Sequence, residues 1–72
     1  MINPNDVAYS GYAVEIYEKN TDKFHEQIDV FGTLEEARQF IENAEPISED
    51  YYYGILQIDY DIDGDEIGTE RL

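Results

Sequence analysis

The sequence predicts one α+β domain in the order ββαββ, a four-stranded, mainly antiparallel sheet with a single helix packed on one face. Three observations predict it. Apolar and polar residues alternate over 11–18 and 24–31, Thr33-Leu34-Glu35-Glu36 opens a stripe at helical spacing, and Asp63-Gly64 divides a second pair of strand-like segments. At 72 residues the chain makes one domain with a thin core, since folding at this size buries only about 60% of the surface that the unfolded chain exposes.

Residues 1–10 read as an irregular lead-in, because Asn3-Pro4-Asn5-Asp6 is turn chemistry, and the domain runs from 11 to 72. Tyr12, Val14 and Ile16 alternate with Ala13, Glu15 and Tyr17, the period-two pattern of a half-buried strand. Asn20 to Lys23 turns the chain. Phe24, Ile28 and Val30 then alternate with polar residues in a second strand that closes a hairpin.

In the capping box, the Thr33 hydroxyl accepts from the Glu36 amide while the Glu36 carboxylate reaches back. Leu34, Ala37, Phe40, Ile41 and Ala44 form the apolar stripe of a helix over 34–45, which Pro46 stops. Tyr51 to Asp61 and Asp65 to Arg71 supply the last two strands, and a helix between strands two and three favours strand three beside strand one. The expected core is Val14, Ile16, Ile28, Val30, Leu34, Ala37, Phe40, Ile41, Leu56 and Ile58.

A two-residue turn at Asp63-Gly64 sets Asp61 opposite Glu66, Tyr60 opposite Ile67, and Gln57 opposite Glu70. Leu56, Ile58, Tyr60 and Ile67 then lie toward the helix, with Tyr52 inward and Tyr51 and Tyr53 outward. Gln57, Asp59, Asp61, Glu66 and Glu70 form an open face with Glu15, Tyr17, Gln27 and Asp29. The expected partner-binding residues on it are Glu15, Tyr17, Asp29, Tyr53, Asp59, Asp61, Glu66 and Glu70.

Charge is the outlying property. Eighteen acidic residues against Lys19, Lys23, Arg38 and Arg71 give a net charge of −14, where about 8 units already suffice for solubility. Such a field repels nucleic acid and anionic membranes and attracts basic proteins. Some of the acid also sits where stability would not choose it: Glu42 and Glu45 meet the negative end of the helix dipole, and Asp61 opposite Glu66 is a like-charge pair.

With no cysteine there is neither a disulfide framework nor a thiolate metal site. Met1 to Asp6 lacks a secretory signal pattern, and no apolar run approaches the ~20 residues that span a bilayer, so a cytoplasmic location is expected. His25 is the single histidine and has no nucleophile arrangement near it, so no catalytic residue, enzyme activity or cofactor is expected. Asp59, Asp61, Asp63, Asp65 and Glu70, with Gly64, match the spacing of an EF-hand calcium loop. The match is confined to spacing, because residues 52–58 read as a strand instead of an entering helix and only Arg71 and Leu72 follow Glu70.

Carboxylates on alternate strand residues stand about 6.6–6.8 Å apart, close to the spacing of successive phosphates along a nucleic-acid strand. In small size, absent cysteine, excess acid and tyrosines, and in the segments Asp59 to Glu70 and Glu35 to Glu45, the chain resembles the small acidic inhibitors of phages and mobile elements, anti-CRISPR proteins and other DNA mimics. That resemblance implies a non-catalytic protein that occupies the nucleic-acid site of a basic partner protein, without binding nucleic acid or membrane itself. A generic interaction module and a calcium binder through 59–70 are the alternative expectations.

Overall fold

A computed structural model describes residues 6–72, so the expected turn at Asn3 to Asn5 lies outside the described residues. The elements follow the predicted order: β1 (Tyr9–Glu18), β2 (Phe24–Phe31), α1 (Leu34–Asn43), β3 (Tyr51–Tyr60) and β4 (Glu66–Arg71). They build one antiparallel sheet in the order β2-β1-β3-β4. Strand β1 starts two residues before its expected position, and the lead-in is shorter by the same two.

Helix α1 begins as its capping box dictates. The Glu36 amide donates to Thr33 Oγ1 at 3.2 Å, and the Thr33 hydroxyl donates to the Glu36 carboxylate at 3.0 Å. The helix ends at Asn43, with Ala44 as an extended C-cap whose amide still reaches the Ile41 carbonyl. Glu45 therefore lies beyond the helix, and Glu42 alone of the two expected acids occupies its last turn. The helix lies against β1 and β2, and Ala37 joins Val14 and Ile55 in the core, with Tyr12, Phe31, Leu34, Phe40, Ile41 and Tyr53 packed around them.

Directly paired strand residues share a face, so the registers assign every paired side chain. Val14 pairs with Ile55, Ile16 with Tyr53 and Tyr12 with Gln57 on the helix side. Ala13 pairs with Leu56, Gly11 with Ile58 and Tyr17 with Tyr52 on the other. The phase of β3 is thus the reverse of the expected one: Leu56, Ile58 and Tyr60 face away from the helix, while Tyr53 faces it and Tyr52 does not. Both phases of β3 are largely apolar, and a one-residue change of register exchanges the faces.

Strand β2 corrects the core in a second place. The register passes from Val14↔Asp29 to Glu15↔Gln27 and from Ile16↔Glu26 to Tyr17↔Phe24, so Ile28 and His25 are the extra residues of two β-bulges. The bulges turn Val30 to the helix-free face and Asp29 to the helix side. Ile28 and Val30 are 40% and 42% exposed and do not belong to the core. Val14, Ile16, Ala37 and Ile58 are buried, the last on the helix-free face.

Candidate functional site

The β3–β4 hairpin positions the acid cluster expected of a cation loop. Its loop is one residue longer than the two-residue turn: the Asp61 amide donates to the Asp65 carbonyl at 3.0 Å, and Gly64, at φ +85°, donates to the Asp61 carbonyl. This is a type I turn followed by a left-handed glycine. Asp61 Oδ1 accepts from the amides of Asp63 and Asp65, each at 2.9 Å, so that carboxylate shapes the turn. Tyr60, rather than Asp61, stands opposite Glu66, and Ile67 is skipped, which restores the expected Gln57↔Glu70 pairing further along.

One consequence is that the expected calcium set divides. Asp61, Asp63 and Asp65 bring a carboxylate oxygen each within 4.8 Å of one another. Glu70 lies opposite Gln57, about 13 Å of strand rise beyond Glu66, so it does not close a twelve-residue loop over them. Asp59 is held elsewhere. It accepts from the Ser10 hydroxyl at 2.6 Å and from the Gln57 amide at 2.9 Å, and these two bonds hold its carboxyl below its usual range.

The eight residues expected to form one partner-binding face are likewise divided. Glu15 and Tyr17 lie on the helix-free face, with Glu66 opposite Tyr60 at its end. Asp29, Tyr53, Asp59 and Glu70 lie on the helix side, and Asp61 sits in the hairpin turn. Glu18 and Glu26 also face the helix side, where Glu35, Glu36 and Glu42 are exposed on the helix itself. Acid is therefore concentrated on the helix-bearing side and at the hairpin tip.

These carboxylates are bonded by neutral groups. Asp59 is held by Ser10 and Gln57, Asp29 by the Val30 amide, Glu18 by Thr21 and Glu36 by Thr33. None of these bonds cancels a charge, so the side retains its field.

The helix-free face has a different chemistry. Glu15 is buried and accepts a short hydrogen bond from the Tyr17 hydroxyl. The Tyr17 ring lies over Gly54, and the Arg71 guanidinium stands 4.0 Å from the centre of that ring. Burial first, and then the bond to Glu15, push the Tyr17 phenol up to about 12. Tyr52, at a ring distance of 5.5 Å from Tyr17, donates to Asp22 at 2.8 Å, and that bond raises its phenol as well. At the far end Tyr9 stacks on Tyr60 at 5.0 Å.

Sequence reasoning missed the parts played by Arg71, Gly54 and Ser10. Only Gly54 had a local signal, an isolated glycine within a strand, which marks a close approach.

His25 packs against Tyr51 with ring centres 4.5 Å apart and the planes tilted by 37°. Among the described residues no helix is long and apolar enough to cross a membrane. Comparison of the chain with protein-family models, with curated proteins and with solved structures found no match.

Proposed function

We propose that this chain is a non-catalytic binding protein whose acidic, helix-bearing side occupies the nucleic-acid site of a basic protein, as a DNA mimic of the anti-CRISPR type. The observation that supports it most is the segregation of acid. Glu18, Glu26, Asp29, Asp59 and Glu70 share one side of the sheet with the exposed helix carboxylates, and the hydrogen bonds seen on them come from neutral donors. Asp59 and Glu70 are diagonal neighbours across β3 and β4, about 7–8 Å apart, in the range of a phosphate repeat. A basic groove would be drawn to this side quickly, and the attraction would weaken with salt.

The test is capture of the partner from the source cell, followed by competition between this chain and nucleic acid for it. Changing Asp29, Asp59, Glu70, Glu35 and Glu42 to Asn or Gln should weaken binding about tenfold or more, equivalent to about 1.4 kcal/mol, with the fold retained. A captured protein that holds nucleic acid and this chain at the same time, with an affinity indifferent to both salt and these substitutions, would exclude the mimic.

A further inference from the structure

We propose that a second copy of this chain packs on the helix-free face of the sheet, giving a two-fold dimer with both helices outward. The inference stands apart from the proposed function, which uses the opposite side of the molecule.

The face has the composition of an interface. Tyr9, Phe24 and Val30 are 54%, 55% and 42% exposed, and Leu56, Tyr52 and Tyr60 lie half-buried on the neighbouring β3. Aromatic residues and arginine are enriched in interface cores, and Asp, Glu and Lys are depleted. Here the carboxylates are Glu15, already buried beneath the Tyr17 bond, Glu66 at one end, and Asp22 of the β1–β2 turn, which accepts from the Tyr52 hydroxyl at the other. Arg71, stacked on Tyr17, supplies a positive charge to the same face.

That charge pattern chooses the occupant. A basic partner would be drawn to the helix-bearing side, whereas this face carries less acid, offset in part by Arg71. In a two-fold contact the same patch serves both copies. Four strands at a spacing of ~4.8 Å, averaging roughly eight residues at ~3.3 Å each, outline about 19 by 28 Å, or roughly 530 Å² in projection. Two such faces reach the ~1,000 Å² that a specific interface needs. Packing sheet on sheet at about 10 Å leaves the two acidic sides pointing away from each other.

Sedimentation equilibrium of the full chain over rising concentration, at about 0.1 M and about 1 M NaCl, tests the dimer. The expected result is a reversible monomer–dimer equilibrium that salt shifts toward dimer, because salt screens the repulsion between copies and strengthens apolar burial. The double substitution Phe24→Glu and Val30→Glu should hold the chain monomeric at concentrations at least about tenfold higher, equivalent to about 1.4 kcal/mol. Its melting, measured dilute, should stay near that of the parent because both side chains are exposed. Glu42→Gln with Glu70→Gln should leave the dimer in place. A parent chain that stays monomeric at both salt concentrations overturns the proposal whatever the variant does, and so does a dimer that survives the double substitution.

Discussion

The ring of Tyr17 occupies the space where Gly54 has no side chain: a Cβ built on Gly54 would stand 2.5 Å from Tyr17 Cε2 and 2.9 Å from Cδ2. The pair joins β1 to β3 on the face without a helix, and Arg71 closes over it from β4. Gly54→Ala should therefore cost about 1–3 kcal/mol through overpacking, measured by urea unfolding. The double variant Gly54→Ala with Tyr17→Leu should recover part of the loss. If Gly54→Ala alone melts like the parent, the ring does not sit there.

Alkaline titration should single out Tyr17. Its phenol ionises near 12 instead of the usual 10, so the contribution it makes to stability is complete below about pH 10 and is lost as pH rises toward 12. Phenolate absorbance should show a late phase to which Tyr17 and Tyr52 both contribute, and Tyr17→Phe should remove the Tyr17 part of it and flatten the alkaline fall in stability. An early, single-phase titration of all seven tyrosines would contradict the burial.

Core truncations should reverse the order that alternation predicts for two isoleucines, since it places Ile28 in the core and leaves Ile55 out. Ile55→Ala, beside Val14 and Ala37, should cost about 2–5 kcal/mol. Ile28→Ala, at a bulge and 40% exposed, should fall within roughly 0.5 kcal/mol of the parent. Thermal melts of the two variants check the assignment of faces in β2 directly.

Salt should stabilise the monomeric chain, since −14 charges on so small a surface repel one another. A melting series in NaCl on dilute protein reads this. Calcium at equal ionic strength should add little, because Glu70 is remote from Asp61, Asp63 and Asp65. An extra shift that saturates at one equivalent and disappears in Asp63→Asn would establish a cation site at the turn.

The order of elements was legible because each is signalled locally: the capping box at Thr33 and Glu36, the alternation in β1, and the Asp63-Gly64 turn all operate within a few residues. The sharing of faces was not, since it depends on pairings between distant segments. Leu56 and Ile58 resemble core residues in any strand, and the registration of Val14 with Ile55 assigns them to the face opposite the helix. The bulges at Ile28 and His25 leave no composition signal, yet they move Asp29 from one side of the sheet to the other. For the same reason the acid that a simple alternation gathers on one face is distributed between two. Ser10 and Asp59 are 49 residues apart, and no spacing rule brings them together.

The two bulges of β2 also bear on how the chain behaves when its charge is removed. An uninterrupted outer strand offers a ladder of free amides and carbonyls on which further chains can stack into fibrils. In β2 the extra residues Ile28 and His25 break that ladder into short runs out of phase with one another. Near the isoelectric point of about 4.1, where electrostatic repulsion no longer keeps molecules apart, loss of solubility should take the form of amorphous, redissolving precipitate in preference to amyloid.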